Sequence, residues 1–404
     1  MGVRGGELMS FVDEGAAIAP GLIALRRALH ETPERGLDLP KTQAIVLDEL
    51  SGLPLEITTG KELTSIVGVL RGDHPGPTVL LRGDMDALPV VEETDLEYAS
   101  TNGNMHACGH DLHTAGLVGA ARLLSQHRSE LHGNVILMFQ PGEEGLCGAG
   151  RMIKEGVLQA SGEKPIAAYA VHAWSQAAKG LFMTRPGTIM AGSNQLHITV
   201  RGKGGHGSAP YTTVDPVPVV AELVLALQTY ATRKVNVFDP VVITVTQLSA
   251  GIAVNVIPNT ATLGASVRTL SDASWDQLAR ELPLLAEGIA SAYGCTVEVE
   301  FRRQYPVTVN DTASTAAAAD DLGELLGAER VVPLENPLMG SEDFSLVLEE
   351  VPGTFIMMGA RPDDVGEDGP SNHSSEVRFD DAVLGDQAAA LAHLAALKLT
   401  GTRQ

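Results

Sequence analysis

NVILMFQPGEEG, residues 134–145, decides how the fold is read. Residues 135–139 are apolar without a polar interruption, which is the pattern of a strand buried on both faces, as in parallel sheets. Pro141 and Gly142 end the run. Glu143 and Glu144 follow directly, and neighbouring residues near a strand end point in different directions. One can therefore ligate a metal while the other handles a proton. Paired glutamates are common on protein surfaces; their place after a buried strand is what singles these out.

The same arrangement recurs twice. Residues 78–81 read as a strand that runs into RGDMDALP, carrying Asp84 and Asp86, and residues 166–171 read as a strand ending at His172. Three loops thus place Asp, Glu or His after an apolar strand, where open α/β sheets bind their ligands. The densest set of ligand types is MHACGHDLHTA, residues 105–115, with His106, Cys108, His110, Asp111 and His113. On an extended segment Cys108 and His110 would emerge on the same side. A thiolate beside an imidazole suits zinc or a neighbouring transition metal.

Around these stretches, helical spacing predicts helices over 17–30, 41–50, 114–125 and 386–400, the third amphipathic, and strands over 66–70 and 354–358. The character changes near residue 187. Alternating or apolar strands at 195–201, 241–248, 261–270 and 296–302, with helices at 216–231 and 274–293, suggest a small α+β unit with one exposed sheet face. Gly202, Gly204 and Gly207 match G-x-G-x-x-G, but Pro210 and the segment after it delay the next helix, so a dinucleotide site is rejected.

At 404 residues the chain is too long for one ordinary core. A formal charge of −22 argues against nucleic-acid partners and against anionic membranes. Three cysteines cannot form a disulfide framework and suit a reducing cytoplasm. The first fifteen residues lack the apolar core of a signal peptide, and Gly6 stands where a myristoylation signal needs Ser or Thr. The apolar region 217–231, interrupted by Glu222 and Gln228, is far short of a membrane span.

DMDALP (84–89), MHACGHDLHTA (105–115), QPGEEG (140–145), GKGGHGSAP (202–210), NVIPNTA (255–261) and MGSEDF (339–344) occur in that order. Together they resemble the dinuclear metal-dependent amidohydrolases, which include auxin-conjugate hydrolases, hippurate hydrolases, N-acetyldiaminopimelate deacetylases and bacterial aminoacylases. The resemblance runs from about His30 to Phe379. It implies an α/β metallopeptidase-type catalytic domain, a central mixed sheet flanked by helices, in two segments, 1–187 and 307–404. An α+β lid and dimerisation domain, 188–306, would be inserted between them.

The resemblance carries over Cys108, His110, Glu144, His172 and His373 as ligands of two divalent ions, zinc or manganese. Glu143 becomes the general acid/base, and Asp86 a group that orients a ligand. His206 resembles a lid histidine that stabilises the oxyanion in a facing site; Asn255 resembles a substrate contact, and Arg268 is suited to a substrate carboxylate. The implied substrate is an N-acyl amino acid, the implied assembly a homodimer. The alternative is a dipeptidase or N-carbamoyl amino acid hydrolase on the same metals. A catalytically dead relative is disfavoured by the presence of Glu143 with all five ligands. Tyr211 replaces a second lid histidine, and Gly142, Asn194 and Leu196 also depart from the usual pattern, which leaves the acyl and side-chain pockets open.

Overall fold

The computed structural model describes residues 11–400, so the start of the segment on which the signal-peptide and myristoylation expectations rest lies outside the described residues. Two compact units divide the chain. The first holds the residues up to Ile189, Val309–Glu335 and the residues from Leu346 onward; the second holds Met190–Thr308 and Asn336–Ser345.

The first unit is built on an eight-stranded mixed sheet. Its order is Leu55–Thr59, Ile66–Arg71, His132–Gln140, His74–Asp84, Ala167–Ala178, Gly353–Arg361, Phe182–Thr184 and Val331–Pro333. The central four strands run parallel, with Leu81 beside Leu137, Leu80 beside Ala168 and Met357 beside His172. Val135–Phe139 are fully buried, as the unbroken apolar run predicts. The parallel register places Asp84 beside Gln140, so the Asp84–Asp86 and Glu143–Glu144 loops leave the sheet at the same end.

Helices Phe11–Glu31, His110–Gln126 and Leu384–Leu399 pack on one another beside this sheet. Gly119 lies where they meet: a Cβ there would sit 2.6 Å from the Ala388 Cβ and 2.7 Å from Leu22 Cδ1. Helix His110–Gln126 differs from the amphipathic expectation. It is buried on nearly every side, because it is the central helix of the layer and not a surface one.

The second unit has a four-stranded antiparallel sheet in the order Val242–Ala250, Thr260–Thr269, Gly192–Arg201, Thr296–Tyr305. Leu196, Ile198 and Val200 face a core shared with helices Pro216–Arg233 and Asp272–Ala292, while Gln195 and His197 face outward. The helix after the glycine-rich stretch begins only at Pro216, capped by Asp215, so the glycines do not open a helix. No helix among the described residues is long and apolar enough to cross a membrane.

Candidate metal centre

Gly109 sets the geometry of the Cys108 stretch. Its φ of 84° is a left-handed turn that glycine adopts without penalty, and helix His110–Gln126 starts at the next residue. Cys108 and His110 therefore do not alternate along an extended segment, as expected; they converge because the chain turns into a helix between them. Gly142, with φ 75°, performs the same service before Glu143 and Glu144. Asp86 holds that turn: Oδ1 accepts the Glu143 N–H and Oδ2 the Glu144 N–H, both at 3.0 Å.

His172 stands in the middle of strand Ala167–Ala178, not at its end, because the strand continues past it, through Ser175 and Gln176, alongside Gly353–Arg361. Its Nδ1 donates to the Ala173 carbonyl at 2.9 Å, which leaves the Nε2 lone pair facing Cys108 Sγ at 3.5 Å. Burial, reinforced by His113, holds His172 neutral. His373 sits in the left-handed region at φ 74°, with Nε2 3.3 Å from Cys108 Sγ and 3.3 Å from Glu144 Oε1.

The five expected ligands thus come together in the first unit. Cys108, His110 and His172 have ligand atoms within 4.8 Å of one another; so do Cys108, Glu144 and His373, and so do His110, Glu143 and Glu144. Cys108 belongs to both of the first two groups. Depth grades across them: His110 is 1% exposed, His172 8% and Cys108 9%, whereas the His373 side chain is half exposed.

Electrostatics favour a cation here. Both ring nitrogens of buried His110 lack a well-formed hydrogen bond, with the nearest carboxylate oxygens of Asp84 and Asp86 at 3.6 Å. Burial opposes charge on His110, yet Asp84, Asp86 and Cys108 hold its pKa well above the usual imidazole value. Hydrogen bonds to Cys108 and then Glu144 push His373 up to about 10. Buried donors without partners, beside a thiol and a carboxylate, fit divalent ions of the zinc type. Asp84 and His113 also lie near His110, but their donor atoms are spent. His113 Nδ1 donates to Asp84 Oδ1 at 2.5 Å, its Nε2 accepts the Ala173 N–H at 2.7 Å, and Arg82 pairs with Asp84. Burial works against ionisation of Asp84, but Arg82 and the two histidines keep it well below the usual carboxylate range. This chain of contacts braces His172 from behind, and nothing in residue spacing announced it. His106 is buried too, but it belongs to none of these groups; burial lowers its pKa to about 3.

The remaining expected residues lie in the second unit. His206 pairs across a short ladder with Val256, next to exposed Asn255, whose carbonyl accepts the Gly207 N–H at 2.8 Å. The Ser208 N–H donates to His206 Nδ1, so the neutral ring carries its proton on Nε2. Arg268 donates to Ser193 Oγ at 2.8 Å and lines a polar cavity of about 300 Å³ with Gln195, His197, Gln247 and Gln304. No carboxylate pairs with it among the described residues, and burial lowers its pKa.

The profile of peptidase family M20/M25/M40 matches residues 80–397. The chain belongs to this family. Thermostable carboxypeptidase 1 of Saccharolobus solfataricus is 39% identical over 92% of this chain and 93% of its own length. IAA-amino acid hydrolase ILR1-like 4 of Arabidopsis thaliana is 38% identical over 84% of this chain and 77% of its own. The crystal structure of the Bacillus subtilis YXEP protein, a dinuclear metal binding peptidase from the M20 family, superposes with a TM-score of 0.82 at 31% identity, covering 95% of this chain and 99% of that one. Membership in the M20 family supports metal-dependent hydrolysis of amide bonds, and the mixed α/β fold is the one its solved members share.

Proposed function

We propose that the chain hydrolyses the amide bond of N-acyl amino acids, releasing a carboxylic acid and a free amino acid. The observation that carries this is the pair of ligand groups joined at Cys108, with a second glutamate at hand that neither group uses. Cys108, His110 and His172 would hold one ion, and Cys108, Glu144 and His373 the other, zinc or manganese in each case. When bound, the ions supply Lewis acidity towards water and the scissile carbonyl.

The chain's own residues do the rest. Glu143 accepts a proton from the water that attacks the amide carbon. As the C–N bond breaks, it returns that proton to the amine, which leaves poorly without it. Asp86 keeps the two glutamates pointing apart by holding both their N–H groups. His206, protonated on Nε2, is in the right tautomer to donate to a developing oxyanion. Asn255 lies beside it for substrate contact, and unpaired Arg268 suits the substrate carboxylate by bidentate pairing. The enzyme would act as a cytoplasmic homodimer.

Peptide substrates are the second reading, favoured by the carboxypeptidase relative; N-carbamoyl amino acids would use the same machinery. Release of amine is measured from N-acetyl and N-benzoyl amino acids, dipeptides and N-carbamoyl amino acids, with Zn²⁺ or Mn²⁺ and with chelator. Metal-dependent cleavage of the acyl compounds is expected. Cleavage of dipeptides alone would move the assignment to the second reading, and no release with any metal would sink both.

A further inference from the structure

The geometry points to Asn372 as a positioning residue that keeps Cys108, His172 and His373 in register; this rests on the metal reading above. Its side-chain amide sits where three segments meet. Nδ2 donates to the Ala173 carbonyl at 3.0 Å and lies 3.4 Å from the Cys108 carbonyl and 3.9 Å from Cys108 Sγ. Oδ1 accepts the Ser175 N–H at 3.0 Å. One planar group therefore bridges the strand that carries His172 and the turn that carries Cys108, from the residue immediately before His373.

Each contact bears on a ligand. The Ala173 carbonyl is also the acceptor that fixes His172 Nδ1, so Asn372 holds the atom that aims His172 Nε2 at Cys108. His373 occupies a left-handed conformation that a residue with a Cβ adopts only when its surroundings over-determine it. Those surroundings are the Asn372 amide on one side and the His373 N–H bond to the Ala107 carbonyl, 2.8 Å, on the other. Ser175 Oγ adds a bond to the Pro370 carbonyl, so the strand grips the loop twice. The chemistry demands an amide. A carboxylate would turn acceptors toward two carbonyls and a thiol, and an aliphatic side chain would leave the Ser175 N–H without its partner.

The test uses the full chain with Asn372→Leu, which keeps the branched shape, and Asn372→Ser, which keeps polarity but not reach. Zn²⁺ affinity is measured by competition with a chromogenic chelator, and the thiolate-to-metal charge-transfer band is recorded in the Co²⁺-loaded proteins. Zn²⁺ binding should weaken about 10- to 100-fold. The cobalt band should shift or fade, while the metal-free variants should still fold, melting below wild type because the buried Ser175 N–H loses its partner. Wild-type affinity and an unchanged cobalt band in either folded variant would overturn the role, even if activity fell. If the wild-type chain itself bound no metal, the metal reading would fail first, and the role of Asn372 with it.

Discussion

Glu143 and Glu144 are identical side chains on adjacent residues, and their surroundings separate them. Glu144 lies against His373 in the outer ligand group, while Glu143 is 7% exposed and belongs to neither group that contains Cys108. Glu143→Gln should keep the metal content of the wild type and lower kcat by about 10²- to 10⁴-fold; metal analysis and steady-state kinetics check this together. A variant that retained most of its activity would remove Glu143 from the chemistry. The ligand types at these positions were legible from spacing after apolar strands and from ordered motifs. His113 was not. The resemblance leaves it out of the ligand set, as a residue behind the ligands or at the helix start, but only the fold shows what it does there, with both nitrogens committed, to Asp84 and to the Ala173 N–H. Which nitrogen carries the proton depends on partners distant in the chain, so no local pattern could encode it.

At the scale of elements, the start of helix His110–Gln126 carries the site. Gly109 lets it begin there, and Asp111 locks it against helix Phe11–Glu31. Asp111 Oδ2 meets Arg26 Nε and His30 Nδ1, each at 2.7 Å, with Arg26 and Asp111 fully buried. Gly109→Ala would force a residue with a Cβ to φ 84° and set that Cβ 3.0 Å from the Ala173 Cβ. The left-handed conformation alone should cost about 1–2 kcal/mol, read as a lower urea midpoint of the metal-free protein. Asp111→Ala should be worse, about 3–5 kcal/mol, because it strands the buried Arg26 charge. The same pair predicts an acid limb. Burial opposes ionisation of Asp111, but Arg26 and His30 hold its pKa far below the ordinary value. Its stabilisation is therefore complete above about pH 3.9, the unfolded carboxylate value, and is lost as pH falls toward the lower folded value. Urea midpoints between neutral pH and pH 3 should show a shallower acid slope in Asp111→Asn than in wild type. The existence and type of these elements were legible from periodicity. Their ends were not: the strand bearing His172 outruns its apolar run, because pairing with Gly353–Arg361, not hydrophobicity, sets its length.

At the scale of the whole molecule, the second unit raises the question of assembly. Strand Val242–Ala250 lies at one edge of its sheet, and edge strands with open N–H and C=O groups invite pairing. Leu248 on that strand and Ile252 and Val254 just after it are exposed apolar residues. An antiparallel edge of this kind is self-complementary about a two-fold axis, which suits a symmetric dimer. If the dimer forms and His206 serves the facing site, each site takes Glu143 from one chain and His206 from the other. The inactive variants Glu143→Gln and His206→Ala should then complement one another. A mixed dimer holds one site with both residues intact and one with neither. Random exchange of equal amounts should recover about a quarter of wild-type activity, since half the dimers are mixed and each has one working site. Differently tagged chains allow the mixed species to be isolated and assayed. An inactive mixed dimer of proven composition would confine His206 to its own subunit, and a monomeric chain with full activity would remove the dimer from the mechanism altogether.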